Sequence, residues 1–148
     1  MGMFTSFDIN ASGLTAQRYR MDIISENVAN ANTTRTKDGT PYVRKVVTFA
    51  EADGQTPFSR VMNDSLDRYS GKGVKVTGVY EDKVTEMNMV YDPSHPDADE
   101  NGYVLYPNVN IITEMTNLID ASRAYEANST AFTATKAIAM KGLSLGNS

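Results

Sequence analysis

The chain has 148 residues, of which 41% are hydrophobic and 22% charged, with a net charge of -4 and no cysteine. That is one ordinary domain's worth of chain, able to bury a usable core. The acidic balance argues against a nucleic-acid binder held by bulk electrostatics, and the missing cysteines exclude disulfide staples, thiolate metal sites and a cysteine nucleophile.

The first thirty residues contain no proline, and Phe4, Phe7, Ala11, Leu14, Arg18, Met21, Ser25 and Val28 follow alternating steps of three and four. This is the seam of a coiled coil or long bundle helix. Arg18 and Ser25 interrupt it and Gly13 weakens it, so the helix is marginal in isolation. Residues 1–11 carry no basic n-region and no continuous apolar run, so no secretory leader is expected. Any route out of the cytoplasm then removes no leader. No run approaches transmembrane length, and direct membrane insertion is not expected.

The helix runs into "ISENVANANTTRTKDG", where Asn27, Asn30 and Asn32 crowd together. Asparagine is a weak helix former that favours caps and turns, because its amide competes for nearby backbone. The cluster reads as a joint where the first helix ends and the chain enters something else. The amides either cap that helix or bond to an adjacent subunit; both readings stand.

Between residues 37 and 107 the character changes. "YVRKVVTFA" (42–50), "GVKVTGVY" (73–80) and "EMNMVY" (86–91) are β-branched or aromatic with partial alternation, and "DGTP" and "SGKG" are turn signals beside them. These are expected to form a small β-rich module. The piece from Thr56 to Ser70, with Phe58, Met62, Leu66 and Tyr69, reads equally as a short helix or a loop, inside a variable segment of about 50–72.

From Asn108 onward there is again no proline. Ile111, Met115, Leu118, Ser122, Tyr125, Ser129, Phe132, Lys136, Ala139 and Leu143 keep the three-four rhythm, beside a stripe of small residues at Ala121, Ala124, Asn128, Ala131 and Thr135. Such a helix spans roughly 50 Å, more than a domain of this size needs for its own core. The fold class expected is α+β: two long terminal helices pairing in coiled-coil fashion (1–36 with its joint, and 108–148) around the central module (37–107). Interrupted seams leave the pair short of stability alone, as suits a subunit that completes its packing against neighbours.

Candidate chemistry is thin. "YDPSHPDADENGYV" gathers Asp92, His95, Asp97, Asp99 and Glu100 around the only histidine, at spacings that loosely resemble a calcium loop. Pro93, Pro96 and the lack of a glycine and glutamate at the required offsets break that pattern, and a turn between strands is the better reading. A small metal-binding or hydrolytic enzyme using His95, Asp97 and Asp99 is the alternative. No serine sits in a nucleophile elbow and no glycine spacing fits a phosphate loop. Arg18, Arg20, Arg35, Lys37, Arg44 and Lys45 lack interleaved aromatics for nucleic acid; they read as a solvated face or as an intersubunit partner for the seven carboxylates between Glu81 and Glu100. No catalytic residue, metal ligand or cofactor is assigned. The expected packing and assembly residues are Leu14, Met21, Val28, Asn27, Asn30 and Asn32 at one end and Met115, Leu118, Ala121, Ala124, Tyr125, Asn128 and Phe132 at the other.

Three stretches, "SGLTAQRYRMDIISENVANANTTRT" (12–36), "YDPSHPDADENGYV" (91–104) and "PNVNIITEMTNLIDASRAYEANSTAFTATKAIAMKGLSLG" (107–146), resemble the bacterial flagellar rod and hook axial proteins, and the second with "SRAYEAN" resembles their proximal rod subunits. Some rod and hook relatives carry a "TPGY"-like turn after the asparagines where this chain reads "NTTRTKDGTPYVRK", which again favours the proximal rod. The resemblance implies a non-catalytic subunit of the flagellar basal body that passes torque from motor to hook. It implies export without cleavage by the flagellar type III apparatus. The implied neighbours are further copies of itself, other proximal rod proteins, the hook-basal body adaptor protein and the distal rod protein.

Overall fold

The computed structural model describes residues 3–52, 62 and 72–146. Its elements are α1 (Met3–Ala29), β1 (Lys45–Glu51), β2 (Val74–Glu81), β3 (Asn88–Tyr91), β4 (Tyr103–Tyr106) and α2 (Ile111–Gly146). The architecture is α+β, with the two long helices packed together and two small antiparallel sheets. The segment expected between Thr56 and Ser70 lies, apart from Met62, outside the described residues. No helix among the described residues is long and apolar enough to cross a membrane.

The chain divides into two compact units. The terminal unit comprises Met1–Tyr19, Phe49–Thr77 and Ser122–Ser148, and the junction unit Arg20–Thr48 and Gly78–Ala121.

In the terminal unit the helices run antiparallel, with Phe7 edge-on to Phe132 at 5.1 Å between ring centres and the Asn10 amide donating to the Thr135 hydroxyl. Gly13 lies against Asn128 so closely that an added Cβ would sit 3.0 Å from the amide oxygen. This close approach needs the small residues of both helices. Gly73, at φ +88°, fits under Ser12, whose hydroxyl accepts from the Val74 N–H at 3.1 Å; a Cβ at that glycine would collide with the same oxygen.

In the junction unit α1 ends where the sequence places the asparagine joint. Asn30 donates both its backbone N–H and its side-chain amide to the Glu26 carbonyl, and the Thr33 N–H and hydroxyl close back onto Asn30. These bonds satisfy carbonyls that every helix C-terminus leaves open. At the other helix, Asn110 accepts from the N–H groups of Ile112 and Thr113, which is an N-cap. The strands β3 and β4 pair with Asn88 opposite Tyr106, Met89 opposite Leu105, Val90 opposite Val104 and Tyr91 opposite Tyr103. Val104 is fully buried, and Ala31, Tyr42 and Val109 form a small apolar cluster.

β1 and β2 hydrogen-bond to one another, and both follow the β-branched runs read in the sequence. β4 was not among the predicted strands. "YVLY" is four residues, too short to display alternation, and it sits between a turn and Pro107. The readable signal was Asn101-Gly102, with Gly102 buried at φ +81° and packed against Tyr91 and Pro93.

The buried faces differ from the apolar seams. On α1 the buried residues are Gly13, Ala16, Ile24 and Asn27, while Phe4, Ala11, Arg18 and Ser25 are exposed and Phe7, Leu14, Met21 and Val28 half-buried. Gly13, Ile24 and Asn27 each precede a seam residue by one position, a rotation of about 100°. On α2 Glu114, Ala121 and Ala139 are buried, and Ile111, Met115, Lys136 and Leu143 are exposed. The terminal unit buries the small residues Gly13, Ala16 and Ala139, the junction unit buries Ile24, Asn27, Glu114 and Ala121, and part of the bulky seam on both helices is turned outward, as is Ala131 of the small stripe.

Candidate functional site

The most constrained constellation in the chain is a buried polar node in the junction unit, built around Asn27 and Glu114, each 1% exposed. Asn27 sits in the last full turn of α1 and faces the start of β1. Its amide nitrogen donates to the Lys45 carbonyl at 2.8 Å and to Glu114 Oε2 at 3.1 Å. Its amide oxygen accepts from the Tyr42 hydroxyl and from the Lys45 N–H, both at 2.9 Å. All of its hydrogen-bonding capacity is therefore used. Of the two sequence readings, capping belongs to Asn30, whereas Asn27 is a cross-link between helix, strand and the opposite helix.

Glu114 enters from the first turn of α2. Its Oε1 accepts from Arg44 Nε at 2.9 Å and Nη2 at 2.7 Å, a charge-assisted contact from two nitrogens of one guanidinium. Arg44 also reaches Asp82 at 3.4 Å. Asn108 completes the frame. Its oxygen accepts the Arg44 N–H at 2.9 Å, and its nitrogen donates to the carbonyls of Asp82 and Thr85 at 2.7 and 3.1 Å. Lys45 pairs with Glu26. A buried charge is tolerable only when so compensated. Burial, with the Glu26 and Glu114 charges adding to it, pushes the Tyr42 hydroxyl up to about 12. Bonds from the Thr85 N–H and hydroxyl, then the Val84 N–H and Arg44, hold the Asp82 carboxyl below its ordinary value.

The basic residues correct one sequence expectation. Arg44 and Lys45 are half-buried and paired within their own chain and not left as a solvated face, while Arg35 stays exposed and reaches Asp97 at 3.4 Å. The alternative metal or hydrolytic loop is likewise accounted for by its contacts. Asp92 accepts from the Ser94 hydroxyl and N–H, which, with His95, lowers its pKa. His95 Nδ1 accepts from the Asp97 N–H, Asp97 accepts from the Thr34 hydroxyl, and Asp99 accepts from the N–H groups of Asn101 and Tyr103. No group of three or more metal-ligating side chains occurs among the described residues.

The node brings together only Asn27 from the expected packing residues. Leu14, Met21 and Val28 on α1 and Leu118, Ala124, Tyr125, Asn128 and Phe132 on α2 are half-buried, Ala121 is buried, Met115 is exposed, and Asn30 is half-buried at the cap. Asn32 is exposed, with no side-chain bond among the described residues. Tyr42, Asn108 and Glu114 were not singled out by sequence reasoning. A signal existed, since Glu114 stands seven residues before Ala121 and fourteen before Asn128, so the small stripe continues back onto it. The node can hold two helices and a strand in register. It offers no free nucleophile, no open ligand position and no unpaired base.

Residues 7–37 match a family described as flagella basal body rod protein, and residues 100–145 match the C-terminal family of the flagellar basal body rod FlgEFG proteins. Three similar proteins carry the description flagellar basal-body rod protein FlgC. The one from Borreliella burgdorferi is 44% identical, over 98% of this chain and 98% of its own. That from Bacillus subtilis is 45% identical over 99% of each chain, and that from Salmonella typhimurium 38% identical over 99% of each.

Proposed function

The chain belongs to the FlgC family of flagellar basal-body rod proteins, and on that premise we propose how it builds its part of the rod. Its class is structural and not enzymatic, its place is the basal-body rod, and it assembles with other rod components. The proposal is that it is a proximal rod subunit, exported uncleaved by the flagellar type III apparatus. It packs against copies of itself, other proximal rod proteins, the hook-basal body adaptor protein and the distal rod protein. Residues 1–36 and 108–148 are its assembly arms and 37–107 its outward module. Torque then passes through it as through any rigid link, with no chemical step.

The observation that supports this reading is apolar surface left open on α2. In the junction unit Ile112, Met115 and Ile119 stand at three-four spacing with exposures of 78%, 54% and 53%. In the terminal unit Ile138 and Leu145, one heptad apart, are 71% and 70% exposed. Contiguous apolar helix faces of this kind mark contact surfaces. The test is Ile119→Asp in cells lacking the parental chain. Secretion at the parental level with few or no completed rods is expected; rods built as in the parent would refute the role of this face.

A further inference from the structure

The β3–β4 hairpin of the junction unit carries its apolar residues on the wrong side for an isolated subunit. In the observed register, Met89 with Leu105 and Tyr91 with Tyr103 share one face, and all four are exposed. Val104 is on the other face, fully buried. A solvated face of an antiparallel pair normally carries polar residues, whereas this one holds two tyrosines in edge-on contact at 5.2 Å. The face is also the floor of a cleft of about 370 Å³, lined by Met89, Tyr103 and Leu105 and walled by Arg35, Pro41 and Asp97. One lip is acidic. Asp97 is matched by Arg35, but the Asp99 side chain accepts only backbone N–H bonds, and Glu100, next to it in the chain, is exposed with no partner among the described residues.

A chain of net charge -4 repels its own copies, so a contact between copies has to bring basic groups to this lip. The terminal unit supplies them. Its antiparallel register, with Phe7 at Phe132 and Gly13 at Asn128, carries Arg18 to the level of Arg123. Both arginines are exposed and neither has a carboxylate partner among the described residues, while Tyr19 beside them is 41% exposed. We infer that the hairpin cleft seats the Arg18–Tyr19–Arg123 surface of a second copy of this chain, with the ring of Tyr19 on the apolar floor and the guanidinium groups on the Asp99–Glu100 lip. Two different surfaces meet, so the contact is head-to-tail and leaves a free copy of each surface for the next subunit.

This inference rests on the rod reading. Its test uses the full-length chain in cells, and because the chain has no cysteine, introduced thiols report only their own proximity. The double variant Tyr19→Cys, Met89→Cys, oxidised in purified basal bodies, should give disulfide-linked dimers and a ladder above them, and each single variant none. Basal bodies that contain the chain but give no such link overturn the inference and leave the rod reading intact. So does a link to a different protein, or one closed within a single chain. Absence of the chain from basal bodies of the parent overturns both. In an independent arm, Glu100→Arg should cut completed rods at least tenfold at unchanged secretion, and adding Arg123→Glu to the same chain should restore most of them. Failure to restore counts against the contact.

Discussion

In the junction unit, helix, strand and opposite helix are tied by side chains that use nearly every polar atom they own: Asn27, Asn108 and Glu114 each bond to more than one separate stretch of the chain. The terminal unit is held differently, by Phe7 on Phe132, Gly13 on Asn128, the Asn10 amide on the Thr135 hydroxyl, and Gly73 under the Ser12 hydroxyl. It also leaves buried Gln17 Oε1 without a partner among the described residues. A buried, satisfied network is specific and costly to break, whereas small-residue helix contacts add little unless continued by further packing. The junction unit therefore fixes its helix ends and first strand within one chain, though Ile112, Met115, Ile119 and one face of the hairpin stay exposed, and we propose that the terminal unit relies more heavily on neighbours to complete its packing.

The largest expected consequence of this difference lies in exposure of the isolated chain. Limited proteolysis of the purified monomer should cut within residues 3–19 and 122–146 well before it cuts within 20–48 or 78–121, and amide exchange should follow the same order. Equal protection of both units would abolish the distinction.

Next in size is the node. Glu114→Ala leaves the Arg44 guanidinium and the Asn27 amide with donors unmet, and removing one partner of a buried pair costs about 3–5 kcal/mol. Urea unfolding of the monomer measures it, with Glu114→Gln as the milder control. A loss below about 1 kcal/mol would show that the node is ornamental to monomer stability.

A smaller effect is expected at the helix contact of the terminal unit. Gly13→Leu has to displace Asn128, an overpacking cost on the order of 1–3 kcal/mol. With neighbours completing this unit, as proposed, the damage should appear mainly as fewer rods in the cell and little as monomer melting. The joint offers the finest contrast. Asn30→Ala removes the amide bond to Glu26 and the contact from Thr33, a loss of about 1 kcal/mol, while Asn32→Ala at its exposed site should stay within about 0.5 kcal/mol.

Titration separates the two ends of the pH scale within the junction unit. Asp82 and Asp92 have folded pKa values below the ordinary one, so their contribution is present above that value and lost as pH falls through the lowered one. Tyr42 is shifted the other way. Its contribution is complete below the ordinary phenol value of 10.0 and is lost as pH rises through about 12. Thermal melts from neutrality towards each extreme should show both losses, and Tyr42→Phe should remove the alkaline one.

Two terminal helices, their three-four rhythm, the asparagine stop at residues 27–32 and three of the four strands were legible in the sequence, because periodicity, β-branching and turn chemistry are local properties. The short β4 carried too few residues to show a period. Which face of each helix turns inward was not local. The apolar seam of α1 pointed to Leu14, Ser25 and Val28, yet the structure buries Gly13, Ile24 and Asn27. That choice depends on how near the opposite backbone comes, and so on small residues of a helix a hundred positions away. The node is the extreme case. Asn27, Tyr42, Arg44, Asn108 and Glu114 look individually like ordinary polar residues of a solvated chain. They become a site only when folding removes water from all of them together, and then each buried donor must find its acceptor on a different element.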